Sequence, residues 1–164
     1  MAGCGRGRVS TPGTFLVGWV AALRGKTVGL DTAPLIYFIE QSPGRIEKLP
    51  PFFAAAGRDH FRLTTSVITL LEVLVHPLRN GREDLVRAYR DILLRSPALR
   101  AIPFDPRAAE EAARLRAAHN LRTPDAIPVA TAIQSGASHF LTNDATLARV
   151  SGISVLVLDA LPEN

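Results

Sequence analysis

The chain is poor in cysteine and in lysine, and both shortages narrow the kinds of site it can carry. Cys4 is the only cysteine among 164 residues, so the chain can form neither an internal disulfide nor a zinc site built from cysteines. With no disulfide to maintain, we expect the protein to work in a reducing cytoplasm. The only lysines are Lys26 and Lys48, which argues against a receiver domain because that fold uses a lysine late in the chain.

Several catalytic signatures are also missing. No Gly-x-Ser-x-Gly elbow is present to hold a serine nucleophile. Gly25-Lys26-Thr27 resembles the end of a phosphate-binding P-loop, but Gly18 is too far from Gly25 and the run precedes a strand. The four histidines show no metal-ligand spacing; they are His60, His76, His119 and His139. Serine hydrolases, P-loop enzymes and histidine metal sites are therefore not indicated.

No apolar run near the N-terminus is long enough to span a bilayer as a helix. Residues 15–23 could form the core of a signal peptide, but no clear cleavage site lies before the first predicted strand. We instead expect residues 1–25 to be an N-terminal extension, flexible or partly helical, whose end can pack on the domain as a short helix. Residues 26–164 are expected to form a single domain with its own hydrophobic core.

The net charge is a weak guide to the partner. A formal charge of +4 and a pI near 10.0 favour nucleic acid. Residues 1–25, however, contain Arg6, Arg8 and Arg24 and no acidic residue. The rest of the chain holds 16 basic and 15 acidic residues, a net charge of only +1.

From Lys26 onward, short apolar runs alternate with helical patterns, which is typical of an α/β domain with a mostly parallel sheet. Strands are predicted at residues 27–30, 60–64, 99–103, 138–142 and 153–158. Helices are predicted after Asp31, at 67–75, 82–95, 106–119 and 144–150, and after Thr123-Pro124. The helix at 67–75 is apolar except at Thr69 and Glu72, so we expect it to be largely buried and limited by Pro77.

Four acidic residues stand at positions where chemistry is expected. Asp31 and Asp144 each follow a predicted strand, and ligand sites of parallel sheets form at the carboxyl ends of the strands. Glu72 interrupts an apolar helix, where a buried carboxylate needs a partner, a proton or a metal ion. Asp125 lies in the first turn of a helix, where the helix dipole favours an anion. We predict that the four form one acidic site that binds a divalent metal ion.

Each acid also has a purely structural interpretation. Asp31 could cap a helix, Asp125 could complement the helix dipole, and Asp144 could belong to a turn. The joint pattern is therefore the evidence, since no single position decides the matter.

Four segments carrying these acids resemble the PIN domains, and among them the VapC-type toxins. The segments are Gly29-Leu-Asp-Thr32, Ser66-Val-Ile-Thr-Leu-Leu-Glu-Val-Leu74, Thr123-Pro-Asp-Ala-Ile127 with Ala130-Thr-Ala132, and Phe140-Leu-Thr-Asn-Asp144. Each motif is weak alone, but their order and spacing are specific, and the resemblance runs from about Lys26 to Leu158.

The resemblance implies a three-layer α/β/α fold and a metal-dependent endoribonuclease. Asp31, Glu72, Asp125 and Asp144 fall on the family's acidic positions. Mg²⁺ or Mn²⁺ is the implied cofactor, and both ions prefer oxygen ligands. The implied partners are an RNA substrate, a small antitoxin that covers the groove, and a second copy of the chain. Candidates for orienting the acids or waters by hydrogen bonds are Thr32, Ser66, Thr142 and Asn143.

Pro128 is a departure from the family pattern, which has a polar or aromatic residue at this place. A proline is tolerated in the first helical turn but disrupts a helix further in. If the helix begins as early as Pro124, a kink at Pro128 could turn Asp125 away from the site.

Two other functions remain open. The chain could be a PIN-like module that binds RNA or protein without cutting, because Pro128 has displaced Asp125. It could also be an RNA-processing nuclease that has no antitoxin.

Overall fold

The computed structural model describes residues 18–162, which form five strands and seven α-helices around one sheet. The strands are β1 (Thr27–Leu30), β2 (Arg62–Ser66), β3 (Leu99–Ile102), β4 (His139–Thr142) and β5 (Ser154–Val157). The helices are α1 (Gly18–Ala21), α2 (Thr32–Ile39), α3 (Leu49–Gly57), α4 (Val67–Arg79), α5 (Glu83–Arg90), α6 (Pro106–His119) and α7 (Thr123–Gln134). A π-helical turn, Asp91–Arg95, continues α5, and short 3₁₀ turns lie at Ala145–Arg149 and Leu158–Ala160.

All strand pairs in the sheet are parallel, in the order β3-β2-β1-β4-β5. This confirms the predicted mostly parallel sheet. A parallel sheet needs cover on both faces, because helical crossovers lie on each side of it. The central strands β1 and β4 accordingly have almost no exposed residues.

Two hydrophobic cores, one on each face of the sheet, give the three layers. On the first face, α1 to α5 pack on β1 and β2 through residues such as Leu30, Leu63 and Phe52. On the second face, α7 packs on β1 and β2 and α6 packs on α7, and this core contains Leu115, Val129 and Phe140. The predicted α/β/α arrangement is therefore confirmed.

The N-terminal residues that the structure describes belong to the first core. Val20 and Leu23 are buried in it, and the ring of Trp19 stacks on Phe52 with centroids 5.6 Å apart. The remainder of the predicted extension, including Cys4, lies outside the described residues, as do residues 163–164. No helix within residues 18–162 is long and apolar enough to cross a membrane.

Helix α4 differs from its prediction in length and in burial. It continues through Pro77 to Arg79, because Pro77 lies in the last turns, where one missing hydrogen bond interrupts little helix. The expected burial of α4 is also wrong, since only Thr69, Val73 and Pro77 are buried. Its outer face carries an apolar row between 37% and 64% exposed, which we call the α4 stripe: Val67, Leu71, Val75 and Leu78.

The second strand also begins later than predicted, at Arg62 instead of residue 60. Asp59 adopts a left-handed backbone conformation with φ of 58°. The carbonyl of His60 then accepts a hydrogen bond from the amide of Gly25 (2.7 Å), so this residue belongs to the turn before β2.

Gly29 is required by the close approach of α7 to β1. A Cβ atom at this position would lie 2.6 Å from Cδ2 of Phe140 and would also collide with Cβ of Ala132. We therefore predict that Gly29→Ala lowers the free energy of unfolding by about 1–3 kcal/mol, as overpacked cores do. Urea unfolding followed by circular dichroism measures this change.

Gly57→Ala is the matched control for this prediction. A Cβ at Gly57, the last residue of α3, meets no atom within 4 Å. Alanine favours a helix over glycine, so this variant should be as stable as the wild-type protein or slightly more stable. Equal stability of the two alanine variants would contradict the tight packing between α7 and β1.

Candidate active site

Asp31 and Asp144 come together because β1 and β4 are neighbours in register. Leu30 pairs with Leu141, and the amide of Asp31 continues the pairing by donating to the carbonyl of Leu141 (2.9 Å). Both aspartates leave the sheet at its carboxyl edge in extended conformations. Asp31 caps α2 through the amide of Thr32, and Asp144 caps the following 3₁₀ turn.

Glu72 and Asp125 reach the same place from two helices. Glu72 lies in the middle of α4, which follows β2, and Asp125 lies in the first turn of α7. All four predicted acids line one groove of about 500 Å³, which we call the acidic groove. Its other lining residues are Thr32, Ala33, Ile36, Tyr37, Pro124 and Asn143.

Two threonine hydroxyls hold three of the acids in place. Thr142, fully buried, donates to Oδ2 of Asp31 (2.6 Å) and accepts from the amide of Asp144 (3.0 Å). Thr32 donates its hydroxyl to Oε2 of Glu72 (2.6 Å) and its amide to Oδ1 of Asp31 (2.8 Å). The two threonines thus link Asp31 to both Glu72 and the backbone of Asp144.

The other two predicted orienting residues have different contacts. Asn143 lines the acidic groove, but its side chain donates to Asp159 Oδ2 (3.0 Å) and accepts from the amide of the same residue (3.1 Å). Ser66 accepts from the amide of Ile68 (3.2 Å) and caps α4. Within residues 18–162 neither side chain hydrogen-bonds to one of the four acids.

Asp125 lines the groove even though α7 begins before Pro124, at Thr123. Pro128 lies inside the helix, yet α7 continues unbroken to Gln134. Pro128 therefore does not turn Asp125 away from the groove. Arg122, just before the helix, donates to Oδ2 of Asp125 (3.0 Å), while its own side chain is 82% exposed at the rim.

Burial raises the pKa of Asp31 above its ordinary value. Desolvation is the largest cause, and the nearby charges of Glu72 and Asp125 act in the same direction. Hydrogen bonds from Thr142 and from the amide of Thr32 oppose the shift without cancelling it. The ionised form of Asp31 is thus destabilised in the folded protein unless a positive charge is present.

The four carboxylates surround the groove without forming a closed cage. Within residues 18–162, no three histidine, cysteine, aspartate or glutamate side chains are close enough together to hold a metal ion among them. The available donors are carboxylate oxygens facing an open groove. This donor set fits Mg²⁺, which keeps several water ligands and commonly takes one or two carboxylates from the protein.

Tyr37 and Arg45 are features of the groove that the sequence analysis missed. Tyr37 lines the acidic groove, and Arg45 lies over its ring, 4.9 Å from the centroid, while donating to its hydroxyl (2.8 Å). Helical spacing could have indicated Tyr37, because Ala33 and Tyr37 lie on the same face of α2. Arg45 belongs to the loop after α2, where no periodic pattern exists.

The comparisons with known proteins agree with this arrangement. A family model described as the PIN domain matches residues 28–153, so the chain belongs to the PIN domain family. No curated protein sequence matches the chain.

Several solved structures share the fold at low identity. One is VapBC2 from Rickettsia felis bound to a DNA fragment from its promoter, with 18% identity, a TM-score of 0.63, and coverage of 79% of this chain and 97% of that one. The DNA-bound VapBC from Salmonella typhimurium has 20% identity and a TM-score of 0.61, and the match covers 80% of this chain and 96% of that one. A toxin-antitoxin complex from Klebsiella pneumoniae has 24% identity and a TM-score of 0.57, and the match covers 79% of this chain and 95% of that one. The predicted resemblance to VapC-type PIN domains is thus confirmed.

The raised pKa of Asp31 predicts a specific dependence of stability on pH. Because the folded pKa lies above the unfolded one, wild-type stability is lost as pH rises from the unfolded pKa through the folded pKa. Asp31→Asn lacks this carboxyl group. Without divalent cations it should therefore gain stability relative to wild type as the pH rises from 3, just below the ordinary aspartate pKa of 3.8, to 7. Thermal unfolding of both proteins in EDTA across this range measures the difference.

Asp91→Asn controls for the simple loss of one carboxylate. Asp91 is exposed, and among residues 18–162 its one ion pair is with Arg95 on the next turn, an interaction worth about 0.3–0.5 kcal/mol. This variant should lose a little stability at neutral pH. If Asp31→Asn follows the same course with pH as Asp91→Asn, the electrostatic account of the groove is wrong.

Proposed function

We propose that the protein is a divalent-metal-dependent endoribonuclease whose active site is the acidic groove. The observation that carries the proposal is the convergence of Asp31, Glu72, Asp125 and Asp144, from four separate segments, on one open groove. Like charges repel at such a place, and the pKa of Asp31 is already raised there. A bound cation would relieve this repulsion, which is the physical reason to expect one.

The groove residues have distinct parts in this chemistry. Asp31 and Glu72, positioned by the two hydroxyls of Thr32 and Thr142, are the best placed to hold Mg²⁺ or Mn²⁺. The ion, when bound, would supply an activated water and neutralise charge on the phosphodiester. Asp125 or Asp144 can accept the proton that the attacking water loses. The exposed guanidinium of Arg122 stands at the rim, where it can contact a phosphate.

RNA is the proposed substrate because the chain resembles the VapC-type PIN domains. The same resemblance supports a 5′-phosphate and a 3′-hydroxyl as the products. The similar structures are toxin-antitoxin assemblies, which supports a role as the toxin of such a pair with a small antitoxin as partner. An antitoxin that covers the acidic groove would block access of RNA to the four acids.

The α4 stripe supports a second protein contact, with another copy of this chain. A continuous exposed apolar row is unusual on a monomer and marks an interaction surface. We propose that two copies pair through it, as identical surfaces do in symmetric dimers. Light scattering should then give a dimer for the wild-type protein and a monomer for Leu71→Asp/Leu78→Asp. A wild-type monomer would contradict this pairing.

Cleavage of RNA tests the proposed activity. Asp31→Asn and Glu72→Gln should each lower the rate of Mg²⁺-dependent cleavage by at least about 100-fold, since loss of a residue that merely orients a ligand already costs 10–100-fold. Thr142→Val removes the donor to Asp31 and should lower the rate by about 10–100-fold. The measurement is the initial cleavage rate of labelled RNA with Mg²⁺ or Mn²⁺.

Glu83→Gln is the matched control, because Glu83 lies at the start of α5 and does not line the acidic groove. It should cleave at the wild-type rate. Equal cleavage by wild type, Asp31→Asn and Glu72→Gln would place the activity elsewhere. RNA binding without any cleavage would favour the non-catalytic module, and cleavage by a protein that never purifies with a small partner would favour a processing nuclease.

A further inference from the structure

A second groove lies on the face of the sheet that carries α6 and α7, over β2 and β3. It has a volume of about 400 Å³ and is lined by residues of β1, β2 and β3, of the loop after β3, of the start of α6 and of the end of α7. Thr27 at the start of β1 lines it, whereas Asp31, just after β1, lines the acidic groove. These two residues are roughly 13 Å apart along β1, at about 3.3 Å per residue. Along β3 the second groove extends to Ile102, the last residue of the strand.

Three arginines line this second groove, which we therefore call the basic groove. They are Arg62 on β2, Arg100 on β3 and Arg107 on α6. Thr64 pairs in register with Arg100, and Arg62 precedes Thr64 by two residues, so both arginines stand on the same face of the sheet. All three arginines are exposed. Helix α7 packs on β1 and β2 on this face, and the groove lies beside it over β2 and β3.

The positive charge of the basic groove is not neutralised within the described part of the chain. Arg62, Arg100 and Arg107 take part in none of the ion pairs within residues 18–162. Asp105 is the one carboxylate among the lining residues, and its Oδ1 accepts from the amide of Ala108 (2.8 Å) as the cap of α6. The neutral lining side chains include hydroxyl donors, among them Thr64 and Ser135, whose oxygens are 3.1 Å apart.

Protection of the sheet edge explains only part of this arrangement. A charged residue on an edge strand prevents unwanted pairing with another sheet, which accounts for Arg100 on β3. Arg62 lies on an inner strand, and Arg107 lies on a helix. Three guanidiniums that line one groove and form no ion pair within the described residues indicate an anionic ligand. Guanidinium is well suited to phosphate.

We propose that the basic groove binds backbone phosphates of the RNA strand that is cut in the acidic groove. This inference rests on the proposed function. The four acids repel a polyanion, so the basic groove on the same domain would add attraction to what a bound cation and Arg122 supply at the acidic groove. Contacts to phosphate carry no sequence information, so the basic groove raises affinity for RNA of any sequence.

The test is RNA binding in EDTA, where cleavage does not interfere. We compare wild type with a groove variant, Arg62→Gln/Arg100→Gln/Arg107→Gln, by fluorescence anisotropy of labelled single-stranded RNA. The control variant, Arg58→Gln/Arg87→Gln/Arg90→Gln, loses the same charge at exposed positions that line neither groove. A third variant with lysine at the three groove positions keeps the charge and reveals any loss due to misfolding.

The inference predicts how the RNA affinity of each variant depends on salt concentration. Each phosphate contact contributes about 0.7 to the slope of log affinity against log salt for a single strand, so the groove variant should have a slope shallower by about 2. Between about 50 and 200 mM salt, wild type should therefore lose about 20-fold more affinity than the groove variant. The control variant and the lysine variant should keep the wild-type slope.

Three results would overturn the inference. In the first, the groove variant has the same salt slope as wild type. In the second, the groove variant and the control variant both have equally shallower slopes, so only the total charge matters and not its position. Inorganic phosphate, at matched phosphate concentration, could displace RNA as well as unlabelled RNA does, which would make the groove a site for free phosphate. Failure of the proposed function is seen separately, as intact RNA when Mg²⁺ is added.

Discussion

The register between β1 and β4 is the constraint on which the rest of the site depends. Leu30 pairs with Leu141, so both strands end at the same level and release Asp31 and Asp144 side by side. The buried hydroxyl of Thr142 then donates to Asp31 and accepts from the amide of Asp144. A slip of one residue would turn the side chain of Thr142 to the other face of the sheet and break this link.

The same geometry places several acidic side chains close together, which does not stabilise the folded protein. Burial and two neighbouring acids raise the pKa of Asp31, and the acids are placed without a counter-charge except for Arg122 beside Asp125. Structure that destabilises the fold in this way is expected at functional sites. The basic groove likewise gathers charges of one sign, those of three arginines, over β2 and β3.

Much of this could be predicted from the sequence, because the periodic signals are local. The strands alternate with helices, and acids that follow strands must meet at one edge of a parallel sheet. The position of Glu72 near Asp31 was predictable for another reason, since an acid within an apolar helix needs a polar environment. That Pro128 leaves α7 unbroken could not be predicted, because the effect of a proline depends on how α7 packs over β1 and not on the residue alone.

Other features could not be predicted because they depend on what the tertiary structure leaves uncovered. The sequence of α4 is apolar nearly all round, and only the fold shows that Leu71 and Leu78 remain outside. Arg62 and Arg100 are far apart in the chain and form one groove only because β2 and β3 pair in a particular register. Ser66 was predicted to orient the acids or waters, and the tertiary structure shows its hydroxyl accepting from the amide of Ile68 at the start of α4.

The central claim is that acids from separate segments form one divalent-cation site, and direct titration with Mn²⁺ followed by electron paramagnetic resonance tests it. The account predicts that the wild-type protein and Glu83→Gln bind Mn²⁺ equally, and that Asp31→Asn and Glu72→Gln each bind it at least about 10-fold more weakly. Equal Mn²⁺ affinity in all four proteins, or no binding by the wild type, would contradict it.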